Sequence, residues 1–469
     1  MGLSRYSDRG ADILGDREPG VAPETGIWGA PTASGPLSAR LTLPGSKSLT
    51  NRELVLSALA DGPSRLRRPL HSRDTSLMAE ALKQLGAVIR EVPGDGEFGA
   101  DWVVEPGELH GGVSISAGLA GTVMRFVPPV AALALGPVAI DGDEHARSRP
   151  MRTTIDALRG LGVEVGDDGR GTMPFTIHGT GSVEGGELTI DASASSQFVS
   201  GLLLAAPRFT RGLTLRHSGE RLPSMPHIEM TVAALGQRGV VVHSPETGVW
   251  VVPAGPIAGR DVQLEPDLSN AAPFLAAALI AGGTVTIGGW PATTTQVGDD
   301  LARLLPRYGA SVTRSGDALT VDGGAGLLGG SPIPGVDLDL SHAGELAPTF
   351  AALAALAASA GRITGIGHLR GHETDRLAAL RTELTALGAR VTELDDGLAF
   401  EPVDHEAWHG GLWNSYADHR MATTGALMGL AVSGVEVDDI ATTGKTLPEF
   451  ADLWQSMLRG PSSTTWIEL

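Results

Sequence analysis

Apolar segments of helical length recur along the chain at a nearly constant interval. They are rich in Ala and Leu, and successive starts lie 73 to 76 residues apart, near Ser48, Gly121, Ser196, Ser269, Glu345 and His419. A second series of amphipathic helical patterns ends in glycines spaced 70 to 79 residues apart, at Gly86, Gly162, Gly239, Gly309, Gly388 and Gly460. Two independent series with one period predict six structural units of about 75 residues.

Each unit contains the same order of elements. An apolar helix is followed by a strand, an amphipathic helix with a glycine C-cap and further strands, such as residues 213–218, 239–244 and 361–367. Helices that alternate with short strands predict a layered α/β architecture. The first helix of each unit is apolar over most of its circumference, so we expect it to be buried while the amphipathic helix covers the outside. Six units predict two domains of three units each.

The composition excludes several classes of function. The 469 residues carry 35 positive and 54 negative side chains, a net charge of −19, which disfavours a general surface for nucleic acid or anionic membrane. Cysteine is absent, so disulfides, thiolate metal sites and a cysteine nucleophile are excluded. Aromatic residues make up 4%, too few for a base-stacking platform, and the histidines lack the spacing of a zinc site.

No segment has the pattern of a secretion signal or a membrane anchor. The longest apolar stretches, around 271–281 and 350–359, are shorter than the ~20 residues that span a bilayer. Residues 1–37 are rich in Gly and Pro, mixed in charge and without the apolar core of a signal peptide. We therefore expect a protein of the cytoplasm.

Polar and charged residues concentrate at the predicted starts of the six apolar helices. Their motifs are GSKSLTNR at 45–52, GLAGTVMR at 118–125, SASSQF at 193–198, DLSNAA at 267–272, HAGELAP at 342–348 and YADHRMA at 416–422. A helix N-terminus leaves N–H groups unpaired and carries partial positive charge, so an array of them in one cleft would bind anions. The sequence thus predicts an anion-binding cleft in an acidic protein.

Each motif by itself also has an ordinary structural interpretation. Ser48 or Ser196 fits a helix N-cap, DHR at 418–420 fits a surface ion pair, and GHETDRL at 371–377 fits a capping box. Lys445 in GKTLPEF fits a solvated charge before a helix. If the chain had no shared site, all these ordinary interpretations would have to hold at once, at equivalent positions of six units. We therefore favour one shared site.

The ordered motifs resemble those of the 5-enolpyruvylshikimate-3-phosphate (EPSP) synthases. The resemblance covers residues 38–459 and includes LPGSKSLTNR, AGTVMR, DGDEHARSRPM, SSQF, LPSMPHIEMT, HETDRL, YADHRMA and GKTLPEF. It implies a two-domain enolpyruvyl transferase fold in which each domain is an inside-out α/β barrel of three β-α-β-α-β-β repeats. The expected division is a flexible tail at 1–37, one domain at 46–263, a second at 38–45 plus 264–459, and a C-terminal tail at 460–469.

The resemblance implies transfer of the enolpyruvyl group of phosphoenolpyruvate to the 5-hydroxyl of shikimate 3-phosphate, a phosphate-releasing step of chorismate and aromatic amino acid biosynthesis. It implies no cofactor, no metal, and no nucleic-acid or membrane partner, and we expect a monomer. Shikimate 3-phosphate would contact Lys47, Ser48, Arg52, Ser195, Ser196, Gln197, Ser224, Glu345 and His372. Phosphoenolpyruvate would contact Lys47, Gly121, Arg149, Gln197, Arg376, Arg420 and Lys445.

The resemblance also implies which residues move protons. Glu345 would accept the proton of the 5-hydroxyl, Glu373 would donate one to the methylene carbon, and Lys47 would share in these transfers. If Glu373 is the donor, burial should raise the pKa of Glu373. His419 would assist as a hydrogen-bond partner.

Four positions differ from the residues that are common in this family. Leu119 stands where many members have Asn, and Glu345 stands where Asp is usual. His372 replaces a common Lys, which would make its contact to shikimate 3-phosphate sensitive to pH, and His227 replaces a frequent Tyr. Gly121 is retained, and a bulkier residue there would crowd phosphoenolpyruvate and its mimic glyphosate. We therefore expect glyphosate to compete with phosphoenolpyruvate.

Two other functions stay open on the sequence alone. UDP-N-acetylglucosamine enolpyruvyl transferases share the fold and the donor, but most use a cysteine acid and have Asn where this chain has Ser48. A non-catalytic anion-binding paralogue would use the repeats as a scaffold, although Lys47, Glu345 and Glu373 are all present. Phosphate release measured with each acceptor sugar would separate the three functions.

Overall fold

Residues 26–459 are described by a computed structural model and contain two separate hydrophobic cores. One core is built from side chains of residues 54–264, which we call the first domain. The other combines Ala30 and residues 37–43 with residues 268–457, which we call the second domain. The described part of the chain therefore begins in the second domain, forms the first, and then returns to the second.

The helices lie where the apolar and amphipathic patterns predict them. They are α1 Lys47–Ala58, α2 Arg73–Gln84, α3 Gly121–Ala131, α4 Glu144–Arg147, α5 Arg152–Gly160, α6 Gln197–Ala205, α7 Met225–Gly236, α8 Ala271–Ala281, α9 Leu301–Leu304, α10 Ala347–Ala355, α11 Arg376–Ala386, α12 His419–Ala431 and α13 Phe450–Arg459. Every residue of α3 and α8 is buried, as expected for helices that are apolar all round.

The glycines that end the amphipathic helices adopt the conformation of a C-cap. Among the described residues, those predicted at Gly86, Gly162, Gly239, Gly309 and Gly388 have φ between 84° and 119°, where a side chain would be strained. The sixth predicted glycine, Gly460, lies outside the described residues. The spacing of these glycines therefore marked real helix ends.

The strands are short. They are β1 Trp28–Gly29, β2 Leu37–Leu41, β3 Ser64–Arg67, β4 Val88–Val92, β5 Asp101–Glu105, β6 Val113–Ser116, β7 Leu135–Asp141, β8 Glu164–Gly166, β9 Phe175–Thr180, β10 Gly186–Ile190, β11 Leu213–His217, β12 Val249–Val252, β13 Asp261–Gln263, β14 Gly283–Gly288, β15 Ser311–Ser315, β16 Ala318–Asp322, β17 Asp337–Asp339, β18 Gly361–Thr364, β19 Arg390–Leu394, β20 Gly397–Glu401, β21 Gly411–Trp413 and β22 Val435–Val437.

These strands form small mixed sheets with one repeated topology. In the sheet ordered β6-β7-β9-β8, β7 pairs in parallel with β6, with Val113 opposite Val138, and antiparallel with β9, with Leu135 opposite Thr180. The sheets β13-β3-β5-β4, β2-β14-β16-β15 and β17-β18-β20-β19 repeat this order. The units that begin with β6 and β17 follow the predicted β-α-β-α-β-β order along the chain. In the other two sheets, β2 is separated from its unit by the first domain, and β13 follows its unit at the end of the first domain.

The third unit lacks one predicted strand. The sheet of this unit is ordered β10-β11-β12, and the predicted strand at 239–244 contributes only an isolated bridge between His243 and Val251. Val241 in this segment is 59% exposed. The prediction of a regular strand there was wrong, because the segment pairs with the chain at this single bridge although Val240 is buried in the core.

The N-terminal prediction was also wrong for residues 26–37. Trp28 of β1 pairs with Val437 of β22, and the backbone N–H of Ala30 donates to the oxygen of Val435 at 2.9 Å. Ala30 is buried against Gly429, where an added Cβ would lie 2.3 Å from the Cβ of Ala30. The strand thus completes a sheet of the second domain. Residues 1–25 and the predicted tail at 460–469 lie outside the described residues.

Two crossover segments run side by side between the domains. Gly45 forms a bridge with Pro266, and the backbone N–H of Ser46 donates to the oxygen of Glu265 at 2.8 Å. The backbone N–H of Asp267 donates in return to the oxygen of Pro44 at 2.9 Å. This pairing places the start of α1 beside the start of α8.

Candidate active site

Five of the six buried helix starts line one cleft between the domains. The first domain contributes the starts of α1, α3 and α6, and the second contributes those of α10 and α12. The sixth start, before α8, lies underneath: Asp267 accepts from the N–H of Lys47 at 3.1 Å, and the oxygen of Ser269 accepts from Arg420 at 3.2 Å. The prediction that all six starts face the cleft is wrong for α8, which instead supports two of the cations.

The cleft encloses about 130 Å³ and brings together most of the predicted site residues. Those that line it are Lys47, Ser48, Gly121, Arg149, Ser195, Ser196, Gln197, Ser224, Glu345, His372, Glu373, Arg376 and Arg420. These residues come from segments separated by up to several hundred positions, so only the packing of both domains assembles them.

Arg52, one of the predicted contacts, lies beneath the cleft rather than in its lining. Its guanidinium is 1% exposed and donates at 2.8 Å to the hydroxyl of Thr231 and to the backbone oxygens of Ser48 and His227. Burial lowers the pKa of Arg52 to about 9. The side chain therefore braces the backbone of the site from below.

The first domain forms one wall of the cleft, which we call the first wall. Its hydroxyls include Ser195, whose Oγ accepts from the N–H of Gln197 at 3.2 Å, and Ser224, held in the left-handed conformation at φ 53° before α7. Lys47 stands beside them, with its Nζ 3.6 Å from Asp74. The wall thus presents hydroxyls and an ammonium group to the cleft.

Two guanidiniums of the first wall form no ion pair within residues 26–459. Arg125 is 3% exposed, its closest acceptor oxygen is that of Gly121 at 3.4 Å, and its Nε has no hydrogen-bond partner there. Arg149 donates to the oxygen of Leu119 at 3.2 Å, and its Nε is buried without a partner in the same range. Because a cation buried without an ion pair is costly, Arg125 with the half-buried Arg149 beside it indicates a place for an anion.

The second domain forms the second wall, in which the cations are paired with carboxylates. The ion pairs are Arg376 with Asp418 at 2.7 Å and with Glu373 at 3.1 Å, Lys445 with Glu373, and Arg420 with Glu345 at 3.1 Å. Lys445, a predicted contact, is behind the lining and reaches the cleft through Glu373. The second wall is thus a network of opposite charges.

A strained turn positions the α12 end of this network. Tyr416 and Ala417 have φ of 55° and 53°, a conformation that non-glycine residues adopt rarely. The Tyr416 hydroxyl donates to Glu383 at 2.5 Å, and the Asp418 carboxylate then caps α12 by accepting from the N–H of Arg420 at 2.8 Å. Backbone strain of this kind is found mostly at functional sites, where surrounding contacts keep the residues in an unfavourable conformation.

Comparisons with known proteins identify the family. The family model described as EPSP synthase (3-phosphoshikimate 1-carboxyvinyltransferase) matches residues 31–454. A curated relative from Kocuria rhizophila, named 3-phosphoshikimate 1-carboxyvinyltransferase, is 56% identical over 438 residues, which cover 92% of this chain and 96% of that protein. The chain belongs to the EPSP synthase family. The predicted family and transferase class are therefore confirmed.

Solved structures agree with this family at the level of the fold. An EPSP synthase from Acinetobacter baumannii superposes with a TM-score of 0.75 at 22% identity, covering 92% of this chain and 98% of that one. The enolpyruvyl transferase NikO from Streptomyces tendae superposes with a TM-score of 0.70 at 18% identity, covering 91% and 96%. The predicted two-domain enolpyruvyl transferase fold is confirmed.

The two central carboxylates of this EPSP synthase family member are held ionised. Burial alone would raise the pKa of Glu373, but Lys445, Arg376 and Arg149 outweigh it and hold that pKa well below its usual range. Burial is likewise outweighed at Glu345, whose pKa is lowered by His227 and Arg420. The expectation of a raised pKa at Glu373 was wrong for the ligand-free protein, because burial came together with three cations.

Two histidines of the cleft are held neutral. Burial and neighbouring cations lower the pKa of His372 and of His419 well below the usual range. His372 lies 3.4 Å from Arg376, and neither ring nitrogen of His419 has a hydrogen-bond partner within residues 26–459. The pH sensitivity expected at His372 therefore falls at a more acidic pH, because the ring gains its proton only there.

Sequence reasoning missed Arg125 and noted His227 only as a replacement for a frequent Tyr, without naming it as a site residue. Arg125 lies one helical turn after Gly121, on the face of α3 that turns toward the cleft, and this spacing was the available signal. His227 also lines the cleft, where it faces Glu345 of the other domain. No pattern along the chain could reveal that contact, since the two residues lie on different domains.

Two kinds of feature are absent from residues 26–459. No group of three His, Asp or Glu side chains in that range is arranged to hold a metal ion. No helix in that range combines the length and the apolar character needed to cross a membrane.

Proposed function

We propose that this chain transfers the enolpyruvyl (1-carboxyvinyl) group of phosphoenolpyruvate to the 5-hydroxyl of shikimate 3-phosphate and releases phosphate. The observation that carries the proposal is the pair of unpaired guanidiniums, Arg125 and Arg149, opposite the carboxylates Glu345 and Glu373. Both substrates carry a phosphate and a carboxylate, so the site must neutralise several negative charges next to groups that move protons. Membership of the EPSP synthase family supports the same reaction.

Shikimate 3-phosphate is placed against the hydroxyl-rich part of the first wall. Its proposed contacts are Lys47, Ser48, Ser195, Ser196, Gln197, Ser224, Glu345 and His372. Hydroxyl and ammonium donors suit a phosphate because each oxygen of the phosphate accepts more than one hydrogen bond. Arg52 acts indirectly in this proposal, because its guanidinium already holds the backbone beneath Ser48 and His227.

Phosphoenolpyruvate is placed between the two walls, beside Gly121 and Gln197. Arg125 and Arg149 face it from the first wall, and Arg376, Arg420 and Lys445 from the second, with Lys47 between the two substrates. The carboxylate and the phosphate each suit the planar fork of an arginine. This arrangement would give the unpaired cations of the first wall the counter-charges that they lack.

The proposed chemistry is an addition followed by an elimination. Glu345 accepts the proton of the 5-hydroxyl as the oxygen bonds to C2 of phosphoenolpyruvate, while Glu373 gives a proton to C3 and creates a methyl group. The bond between C2 and the phosphate oxygen then breaks, the methyl group returns a proton to Glu373, and the proton on Glu345 leaves with the phosphate. Lys47 stabilises the charge that develops on the departing phosphate.

Binding of phosphoenolpyruvate would prepare Glu373 for this role. In the ligand-free protein Lys445, Arg376 and Arg149 keep Glu373 ionised, so it has no proton to give. An anionic ligand that shares these cations weakens their hold and adds negative charge nearby, and both effects raise the pKa of Glu373. Glu373 is therefore protonated, and able to act as the acid, only when phosphoenolpyruvate is bound.

We further propose that glyphosate competes with phosphoenolpyruvate beside Gly121. A Cβ added there would lie 3.1 Å from Oε1 of Gln197 and 3.3 Å from Arg125 and Arg149, so the pocket has room for its ligand only because this residue is glycine. The enzyme would act as a monomer, since the site is complete within one chain, and we place it in the cytoplasm on the sequence pattern alone.

Release of inorganic phosphate tests the proposal. With phosphoenolpyruvate as donor, we expect release with shikimate 3-phosphate and none with UDP-N-acetylglucosamine. Release with the nucleotide sugar alone would assign the other transferase activity, and release with neither would make the chain a non-catalytic binder. Increasing glyphosate should raise the KM for phosphoenolpyruvate without changing kcat; activity unaffected by high glyphosate would contradict the proposed pocket.

A further inference from the structure

A histidine of the first domain reaches a carboxylate of the second across the cleft. The Nε2 of His227 lies 3.5 Å from Oε1 of Glu345, and the side chains are 19% and 22% exposed. The other oxygen of Glu345, Oε2, accepts from Arg420 at 3.1 Å. Each oxygen therefore has its own neighbour, one from each domain.

His227 is held rigidly on its own side. Its backbone oxygen, in the first turn of α7, accepts from Arg52 at 2.8 Å and from the hydroxyl of Thr231 at 3.0 Å. The next residue, Ile228, is fully buried in the core of the first domain. The ring is thus presented by a packed helix, which defines its position better than a loop would.

Glu345 is equally constrained on the other side. It lies in a 3-10 turn at Gly344–Leu346, and Leu346 is fully buried in the core of the second domain. A Cβ added at Gly344 would lie 2.7 Å from Nε2 of His368, so the turn packs closely against the adjacent segment. Relative movement of the two domains would therefore separate His227 from Glu345.

The charged and titratable groups around the His227 ring come from several elements. Glu345 faces it directly, His368 approaches from the turn at Gly367–Gly371, Arg52 lies beneath its backbone, and Arg420 stands behind Glu345.

We infer that His227 is a positioning residue that holds Glu345 for proton transfer, an inference that rests on the proposed function. Its Nε2 faces Oε1 at 3.5 Å while Arg420 holds Oε2, so the carboxylate is aimed and kept ionised. Because the donor comes from the opposite domain, the proton acceptor is complete only when the two domains meet. A merely structural contact would affect stability but not the pH dependence of turnover.

Two substitutions separate the hydrogen bond from the charge. His227→Gln keeps a donor that cannot become charged, whereas His227→Phe removes both. We expect kcat for phosphate release to fall about ten- to a hundredfold in His227→Phe and less in His227→Gln, with little change in KM for phosphoenolpyruvate.

The acid limb of the pH profile of kcat should move to higher pH by about one unit in His227→Phe and by less in His227→Gln. Glu345 would lose a neighbour that lowers its pKa and would therefore be protonated sooner as the pH falls. His178→Gln, an exposed histidine of the same domain, is the matched control and should leave the profile unchanged. A wild-type acid limb in both His227 variants overturns the inference.

The Glu345→Asp variant provides a second, independent measurement. Its carboxylate is shorter by one methylene and should no longer reach His227, so adding His227→Gln should reduce kcat no further. An equal loss in both backgrounds overturns the inference. If the His227 variants do not fold, Glu345→Asp alone still tests the inference. The acid limb of its pH profile of kcat should move to higher pH, and a wild-type limb would contradict the contact with His227.

The Glu345→Gln variant separates this inference from the proposed function. If it turns over at the wild-type rate, the proton acceptor proposed above is wrong, and with it the role of His227. If Glu345→Gln is inactive while the His227 variants keep the wild-type acid limb, the acceptor stands and only the positioning role fails.

Discussion

The two walls of the cleft carry similar numbers of cations but treat them differently. In the first wall Arg125 and Arg149 form no ion pair within the described residues. In the second wall Arg376, Arg420 and Lys445 each contact a carboxylate. Unpaired cations are suited to hold a fixed anion, whereas paired ones tune the protonation of their partners. The comparison supports the proposal that the first wall chiefly binds the substrates and that the second holds the carboxylates that transfer protons.

The difference also has a consequence for stability. A buried guanidinium without a partner destabilises the ligand-free fold, and an anionic ligand removes that cost. A buried ion pair has the opposite property, because loss of either partner leaves the other uncompensated. The changes in the free energy of unfolding caused by substitutions in the two walls should thus differ in sign as well as in size.

The largest effect is expected from the proton-transfer carboxylate of the second wall. Glu373→Gln removes the acid while keeping the shape of the side chain, so kcat should fall by about 10²- to 10⁴-fold. Glu401→Gln, at an exposed position of the same domain, is the matched control and should keep wild-type turnover. Steady-state phosphate release measures both variants, and near-normal turnover in Glu373→Gln would remove this residue from the chemistry.

The next largest effect concerns the stability of the second wall. Arg376→Met leaves Asp418 and Glu373 buried without their shared cation, so the free energy of unfolding should fall by about 3–5 kcal/mol. Arg381→Met on the same helix breaks only an exposed pair with Glu393 and should cost at most about 1 kcal/mol. Urea unfolding compares the two; equal losses would contradict the account of the second wall.

Substitution of a cation in the first wall should have the opposite effect on stability. Arg125→Met removes an unpaired buried charge, so the ligand-free protein should be as stable as the wild type or more so, while KM for phosphoenolpyruvate rises roughly tenfold or more. Arg238→Met is the control, because that guanidinium is equally buried in the same domain but paired with Glu53. Destabilisation in both variants would show that Arg125 has a structural role only.

The smallest effect is expected at the glycine between the walls. The Cβ of Gly121→Ala would lie 3.1–3.3 Å from Gln197, Arg125 and Arg149, so these groups must shift by a few tenths of an ångström. We expect KM for phosphoenolpyruvate to rise by up to about tenfold. Gly236→Ala, where a Cβ meets nothing within 4 Å, should leave KM unchanged, and an unchanged KM in Gly121→Ala would refute the proposed pocket.

Much of the fold followed from the sequence because its repeats are periodic. Six apolar helices and the glycines that end the amphipathic helices recur at one interval, and burial of α3 and α8 follows directly from their composition. The strand at Trp28–Gly29 escaped prediction because two residues carry no alternation of polar and apolar positions. Its pairing with β22 is a long-range contact that only the folded second domain supplies.

The site residues were foreseeable as a set, but their electrostatic state was not. The motifs at the helix starts, and the family resemblance, placed Lys47, Arg149, Glu373 and Arg376 in one cleft. Which cations are paired depends on distances between side chains of distant segments, such as Arg376 and Asp418. For that reason the direction of the pKa shift at Glu373 could not be obtained from the sequence.

The central claim, that the first wall binds the anionic groups of both substrates, is tested most directly by one crystal structure. The Glu373→Gln variant would be crystallised with shikimate 3-phosphate and phosphoenolpyruvate, which it should bind but convert far more slowly than the wild type. We predict an oxygen of phosphoenolpyruvate within about 3 Å of a guanidinium nitrogen of Arg125 or Arg149, and the sugar phosphate at Ser195 and Ser196. Substrates bound with these guanidiniums still unpaired would contradict the account.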